Sequence, residues 1–101
     1  MATLLVLYSP PADTAKFDAH YQNTHIPLAR KMPGMRSFTV TSGQPRAFAG
    51  SAPYLVAQLQ FDSMASLEAA LASPEGQAAV GDLPNFAQAG VTVLAYETSG
   101  V

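Results

Sequence analysis

The sequence contains no cysteine among its 101 residues. Disulfide bonds, thiol nucleophiles and thiolate sites for zinc or iron–sulfur clusters are therefore excluded. Charge is also scarce, because Asp, Glu, Lys and Arg together make up 12% of the residues and the net charge is −2. The chain has no basic run beyond the pair Arg30 and Lys31. It lacks the positive surface that nucleic acid or an anionic membrane would need, and we expect neither as a partner.

The N-terminal stretch MATLLVLYSPP matches neither a secretory signal nor a membrane anchor. It lacks the basic residues that precede the apolar part of a signal peptide, and its apolar run is too short to span a bilayer. These features predict a cytoplasmic protein. The length predicts one domain over residues 1–101, and the chain shows no internal repeat or linker.

Apolar runs bounded by Gly and Pro predict four strands. They cover residues 2–8, 35–42, 54–61 and 91–97. Helical patterns fill the gap after the first strand and the gap before the last one. The order is therefore βαββαβ, which predicts the α+β class with a ferredoxin-like, four-stranded antiparallel sheet and helices on one face.

Capping residues and prolines predict where the helices begin and end. Asp13 is the predicted N-cap of a first helix that reaches about residue 23. Pro27 is predicted to break this helix, with Ile26 extended and a second short helix over 28–31. Ser63 and Ser73 are the predicted N-caps of two later helices, the second of which ends near residue 80.

One face of the predicted sheet has no helix to cover it. Its residues include Thr39, Thr41, Val56 and Gln58, which are too apolar for a fully wetted surface. The chain is also 49% hydrophobic, more than one small domain buries easily. We therefore predict a homodimer in which two such sheets pack face to face.

Two stretches of the sequence resemble a known family. Phe17 and Tyr21 precede THIPLARKMPGMRSF, and SPEGQAAVGDLPNF occupies residues 73–86. Together they resemble the two signatures of EthD-like proteins in the dimeric α+β barrel superfamily, and the resemblance covers essentially the whole chain. Its most specific element is His25-x-Pro27-Leu28 followed by Pro33-Gly34. The resemblance implies a dimeric α+β barrel and a role in small-molecule catabolism or tailoring, but no agreed reaction.

His25 and Tyr21 are the predicted catalytic residues. They lie four positions apart, so both side chains should project from nearly one helical face, where Pro27 interrupts the backbone ladder. A histidine titrates near neutrality and can remove and return a proton, with the tyrosine hydroxyl beside it. The structural alternative is that His25 only hydrogen-bonds carbonyls left free by the proline, and the sequence leaves both open.

Arg30, Tyr54 and Phe38 are the predicted substrate-binding residues. Arg30 could hold an anion but also suits the negative end of a short helix, and the aromatic side chains could line a cavity or simply fill the core. His20 is predicted to lie on the solvated surface, because five positions from His25 is not an α-helical face. Asp82, which follows Gly81, is predicted to cap or turn the chain. No metal-ligand set and no cofactor-binding motif is present, so we expect neither a metal nor a cofactor.

Two functions follow as hypotheses. In the first, which the resemblance implies, the protein performs cofactor-free proton transfer or oxygenation on a small apolar or aromatic substrate, with His25 as base. In the second, it is a non-catalytic binding or accessory protein for an oxygenase system of the ethyl tert-butyl ether degradation type. The sequence does not decide whether the protein is an enzyme.

Overall fold

The computed structural model describes all 101 residues and contains a single four-stranded sheet. The strands are β1 (Ala2–Tyr8), β2 (Met35–Val40), β3 (Leu55–Phe61) and β4 (Val91–Glu97). Their order in the sheet is β2-β3-β1-β4, and every neighbouring pair is antiparallel. The predicted α+β, ferredoxin-like fold is confirmed.

Helices occupy the two predicted gaps. The first gap holds α1 (Thr14–His20), a π-helical segment (Tyr21–His25) and α2 (Ile26–Ala29). The second holds α3 (Met64–Ala72) and α4 (Pro74–Phe86). The predicted N-caps are confirmed, because Asp13, Ser63 and Ser73 each accept a hydrogen bond from a backbone N–H three residues later. None of these helices is long and apolar enough to cross a lipid bilayer.

The predicted break before Pro27 is wrong. Ile26 has helical angles, with φ −56° and ψ −47°, and the chain runs from α1 through the π-helical segment into α2 without interruption. Proline lacks an N–H, and its ring crowds the carbonyl four residues earlier in an α-helix. The wider π turn relieves this conflict, because the Ile26 N–H bonds the Tyr21 carbonyl five residues back.

The predicted end of the last helix near residue 80 is also wrong. α4 continues through Gly81, Asp82 and Pro84 as far as Phe86. Its buried residues are Gly76, Ala79, Asp82 and Phe86, whose spacing of three or four places them on one face of the helix. Packing of that face outweighs the low helix propensity of glycine and the one hydrogen bond that proline removes.

The two faces of the sheet have different surroundings. One face carries Ala57, Leu59 and Phe61 of β3, which are buried together with aromatic side chains of α1 and α4. The opposite face has no covering element, and on it Leu94 and Tyr96 of the edge strand are 48% and 39% exposed. The monomer therefore leaves an apolar sheet face open to solvent.

A close approach of α3 and α4 depends on Gly76. A Cβ atom at this position would overlap the Ala70 carbonyl oxygen and lie 2.7 Å from the carbonyl oxygen of Leu71. Both atoms belong to the backbone of α3, so they cannot rotate away. Gly81, further along the same helix, has nothing within 4 Å of the corresponding position.

We predict that Gly76→Ala and Gly81→Ala change stability in opposite directions. Gly76→Ala should lower the free energy of unfolding by roughly 1–3 kcal/mol, because α4 must move away from α3. Gly81→Ala should raise it by roughly 0.5–1 kcal/mol, because alanine favours the helix and meets no atom. Urea unfolding at one protein concentration measures both. Equal effects of the two substitutions would contradict the close packing at Gly76.

Candidate functional site

A buried carboxylate joins two histidines in the interior of the protein. Asp82 Oδ2 lies 3.0 Å from Nδ1 of His25, and both carboxylate oxygens lie within hydrogen-bond range of Nε2 of His20, at 2.9 and 3.0 Å. The side-chain amide of Asn85 donates a further hydrogen bond to Oδ1 at 3.0 Å. Asp82 and His25 are both buried, and His20 is half-buried. These four side chains form a continuous polar cluster.

The π-helical segment allows both imidazoles to reach Asp82. His20 is the last residue of α1 and His25 the last residue of the π-helical segment. In a π-helix, residues five positions apart are hydrogen-bonded neighbours along the axis, so their side chains lie close together. The prediction that His20 is a solvated surface residue is wrong, because its side chain is half-buried and hydrogen-bonded to Asp82. The prediction that Asp82 caps or turns the chain is wrong as well, because Asp82 lies inside α4.

The cluster keeps Asp82 ionised. Burial by itself raises the pKa of this carboxyl, but hydrogen bonds from Asn85, His20 and His25 outweigh it and bring the pKa below its ordinary value. A carboxylate with three N–H donors is a satisfied buried anion, whereas one without donors would take up a proton. Asp82 therefore carries a negative charge at neutral pH.

His25 is held as a neutral imidazole whose Nε2 is unprotonated. Burial lowers its pKa, and the hydrogen bond and charge of Asp82 offset only part of this shift. Because the ionised carboxylate accepts from Nδ1, the proton of the neutral ring resides on Nδ1 and Nε2 keeps its lone pair. The protonated Tyr8 hydroxyl donates a long and weak hydrogen bond to Nε2, at 3.4 Å. Because this bond is weak, a substrate proton can replace it, and Nε2 remains available as a base.

Two tyrosine hydroxyls lie beside this nitrogen. The rings of Tyr8 and Tyr21 meet edge to face at 5.4 Å, and Tyr21 stacks on His25 at 5.6 Å. Burial raises the pKa of both tyrosines, so both hydroxyls stay protonated. They are close enough to affect each other's pKa, yet the Tyr21 hydroxyl is buried and makes no hydrogen bond of ordinary geometry. Such an unpaired buried donor is rare in proteins.

An apolar cavity opens next to these groups. It encloses about 50 Å³, and 14 of its 15 lining residues are hydrophobic. His25, Tyr21 and Tyr8 line it together with side chains of the sheet and of α4. Two other lining residues, Val80 and Val93, are 47% and 46% exposed, so they mark its mouth. Tyr21, whose hydroxyl is unpaired, therefore forms part of the wall of this apolar cavity.

The structure brings together three of the five residues that were predicted as site residues. His25, Tyr21 and Phe38 all line the cavity. Tyr54 does not, since its hydroxyl donates to Asp18 at 2.9 Å and its ring packs against Phe17. Arg30 is exposed at the end of α2 and is not among the lining residues. The roles of all five residues stay predictions.

Three residues of the site, namely Tyr8, Asp82 and His20, were not predicted as site residues. Asp82 and His20 were interpreted as turn and surface residues respectively. Only Asp82 carried a usable signal, because it lies within the second stretch that resembles the family. No group of three or more His, Cys, Asp or Glu side chains is arranged to hold a metal ion. The two imidazoles and the carboxylate are instead hydrogen-bonded to one another.

Comparison with known proteins defines the family. The model of the EthD domain matches residues 9–90. The chain belongs to the EthD family. A curated relative is 43% identical over 96 residues, which cover 93% of this chain and 91% of the relative. That relative is described as an uncharacterized 11.0 kDa protein in the thcB-thcC intergenic region of Rhodococcus erythropolis.

Solved structures support the same assignment. An EthD family protein of Bacillus halodurans is 37% identical with a TM-score of 0.88, over 98% of this chain and 99% of that one. Two more distant structures share the fold. A dimeric ferredoxin-like protein of Thermobifida fusca has a TM-score of 0.71 at 12% identity, covering 96% of this chain and 90% of its own. SnoaB of Streptomyces nogalater, a cofactor-independent oxygenase, has a TM-score of 0.64 at 15% identity, covering 99% and 94%.

We predict that Asp82→Asn destabilises the protein by about 1–3 kcal/mol at neutral pH, because the amide leaves a buried imidazole N–H without an acceptor. The folded pKa of Asp82 is below its ordinary 3.8. Its contribution to stability is therefore present above pH 3.8 and lost as the pH falls through the folded value, and the variant should lack this acid-dependent loss. Urea unfolding from pH 7 to pH 3 measures both effects.

The matched control is Asp62→Asn. Asp62 also has a lowered pKa, caused by Arg36, but the side chains of this pair are 56% and 63% exposed. Water screens exposed ion pairs, so this variant should lose much less stability than Asp82→Asn. If Asp62→Asn lost as much stability as Asp82→Asn, the burial of Asp82 and its hydrogen bonds would not explain the effect.

Proposed function

We propose that this EthD family protein removes and returns a proton on a small apolar or aromatic substrate in the cavity, with His25 as the general base. The observation that supports this proposal is the unprotonated Nε2 of a neutral, buried histidine in the wall of an apolar cavity, where its only hydrogen bond is the long one from Tyr8. Asp82 holds the proton of the ring on Nδ1 and stabilises the imidazolium that forms when Nε2 accepts a proton.

Tyr21 is the proposed stabiliser of the anion that proton removal creates. Its hydroxyl is protonated, buried and unpaired, so it can donate a hydrogen bond to a substrate oxygen without first giving up another partner. The Tyr8 hydroxyl, 3.4 Å from Nε2, lies within reach of the same substrate atom or of the base. These side chains supply proton transfer and anion stabilisation.

The cavity indicates the substrate class. Its walls are almost wholly apolar and the only unpaired polar group is one hydroxyl donor, so we infer a small, largely apolar molecule with an oxygen acceptor beside an acidic C–H or O–H bond. About 50 Å³ is room for a few heavy atoms. An aromatic ring needs the exposed side chains of Val80 and Val93 at the mouth to move apart.

Oxygenation is the second version of the same chemistry. A carbanion formed by His25 would give its electron pair to dioxygen, so that a C–O bond forms at the carbon that lost the proton and the O–O π bond breaks. The His25 imidazolium would then return its proton to the resulting peroxide anion to give a hydroperoxide. SnoaB supports this version only through its fold, since it is a cofactor-independent oxygenase at 15% identity. Both versions begin with proton removal, so one experiment tests their common step.

We predict that the protein catalyses deuterium incorporation into small carbonyl compounds in D₂O. Butanone, cyclopentanone and acetylacetone serve as probes, and NMR follows the loss of the C–H signal beside the carbonyl. His25→Asn keeps an N–H toward Asp82 but has no base, and should lower the catalysed rate by on the order of 10²-fold or more. Tyr21→Phe should lower it by roughly 10²-fold, because the oxyanion loses its donor. Lys31→Ala, on the exposed surface, should match the wild type.

The accessory-protein hypothesis gives a different result in the same experiment. A cavity that only carries an apolar metabolite would bind the probes, seen as chemical-shift changes of residues such as Phe38, without exchange above the buffer rate. His25→Asn would then leave affinity unchanged. Binding without exchange would replace the catalytic proposal by this one.

We also infer that the protein is a homodimer through the open sheet face. Leu5 and Leu7 of β1 lie on this face beside Val56 of β3 and Leu94 of β4, as the strand register shows. An apolar surface of this extent on a chain with 12% charged residues calls for a partner. The Thermobifida fusca structure of the same fold is described as dimeric.

We predict that Val56→Lys dissociates this dimer, because the new charge would have to be buried without a partner. Sedimentation should show a smaller particle, and the melting temperature should fall and lose its dependence on protein concentration. Ala78→Lys places the same charge on the exposed side of α4 and should leave the dimer intact. A well-folded wild-type monomer with a concentration-independent melting temperature would contradict the dimer.

A further inference from the structure

The mouth of the apolar cavity lies between α4 and the edge strand β4. Val80 of α4 and Val93 of β4 both line the cavity, and their side chains are 47% and 46% exposed. Val6 of β1 is the register partner of Val93 and lines the same cavity, yet it is only 7% exposed. The helices therefore cover the central strand β1 but leave this side of β4 open.

The open part of β4 continues the apolar wall of the cavity. Alternate residues of a strand point to one face, so Ala95 lies on the same face of the sheet as Val93. Ala95 is exposed, and its register partner Leu4 lines the cavity. Val80, Val93 and Ala95 thus border an apolar slot between α4 and β4. This slot is continuous with the cavity, because two of its three residues line both.

The size of the cavity gives the slot a use. The enclosed space of about 50 Å³ is room for a few heavy atoms, which a carbonyl group and its neighbouring carbons fill. Any further part of the same molecule must leave through the mouth, and the first surface that it meets is the slot. An unbranched alkyl chain is narrower than a ring. It therefore passes with less movement of the stiff, branched side chains of Val80 and Val93.

We propose that the slot is a binding subsite for an unbranched alkyl chain that is attached to the reacting carbonyl group. The carbonyl end lies in the cavity beside His25 and Tyr21. The chain lies across Val80, Val93 and Ala95, and removal of the chain and of the two half-exposed valines from water drives its binding. The substrate class is then a ketone or related carbonyl compound with an alkyl tail. The placement of the carbonyl end rests on the proposed function, whereas binding of the tail does not require catalysis.

The test measures how affinity depends on chain length in the full-length protein. Butanone, 2-hexanone and 2-octanone are titrated into isotope-labelled protein, and NMR follows the amide signals of Val80 and Val93. A fully buried methylene group raises affinity about fourfold, so a slot that covers one side of the chain should give roughly twofold per methylene. Pinacolone, a tert-butyl ketone with as many carbons as 2-hexanone, should bind several-fold more weakly, because its branched group is too wide for the mouth.

Matched valine substitutions locate the effect. Val93→Ser and Val80→Ser each make one wall of the slot polar, so the gain in affinity from butanone to 2-octanone should fall from roughly 16-fold to roughly fourfold or less. Val40→Ser is the control. Val40 lies on the same face of the sheet at the opposite edge, is 37% exposed and does not line the cavity. This variant should keep the full gain.

Any of four results overturns the proposal. Three of them concern affinity: no rise with chain length in the wild type, equal binding of pinacolone and 2-hexanone, and an equal loss in Val40→Ser and Val93→Ser. The fourth is dissociation of the protein by Val93→Ser in sedimentation, which would assign the slot to contact with a second copy. Deuterium exchange separates this proposal from the catalytic one. Chain-dependent binding without exchange would remove only the catalytic function, and exchange without chain dependence would remove only the subsite.

Discussion

The negative charge of Asp82 is the constraint around which the site is organised. It is the only acidic side chain that the fold buries. A lone carboxylate in this environment would be protonated, because an apolar interior disfavours the anion. The three N–H donors from His20, His25 and Asn85 remove that penalty, and the pKa of Asp82 falls below its ordinary value. The charge therefore persists, and it requires each donor to keep its N–H directed at the carboxylate. In this way α4 is joined to the first helical segment by polar contacts as well as by apolar packing.

The π-helical segment is the backbone feature that makes this arrangement possible. In an α-helix of 3.6 residues per turn, side chains five positions apart point about 140° away from each other. His20 and His25 could not then share one acceptor. The hydrogen bond from the Ile26 N–H to the Tyr21 carbonyl widens the turn and brings the two rings onto the same side. Pro27 follows directly, and its missing N–H and bulky ring favour the wider turn over a regular one. A proline that was expected to end a helix instead shapes the site.

These observations explain which parts of the protein could be predicted from its sequence. β1 and β4 were predicted with the bounds that the structure shows, because each is a compact apolar run between turn residues. His25, Tyr21 and Phe38 do line the cavity, although their roles stay predictions. Asp82 and His20 were misinterpreted because they are 62 positions apart, and only the tertiary fold brings them together. The length of α4 was underestimated for the same reason, since its packed face overrides the local signals of Gly81 and Pro84. The cytoplasmic location also stays a prediction.

The cavity and the carboxylate act on His25 in opposite directions, and the proposed chemistry needs both. Burial lowers the pKa of His25 and keeps Nε2 unprotonated, but an imidazole that is only desolvated is a weak base, because the imidazolium it must become is disfavoured in the same surroundings. Asp82 stabilises that imidazolium through Nδ1 at the moment it forms. The tyrosines cannot serve instead, since burial raises the pKa of both and leaves them as hydrogen-bond donors. Burial therefore distinguishes the base of the site from its donors, because it keeps the imidazole unprotonated and the two tyrosine hydroxyls protonated. Of the three polar side chains that line the cavity, only His25 has both an unprotonated ring nitrogen and a buried counter-charge.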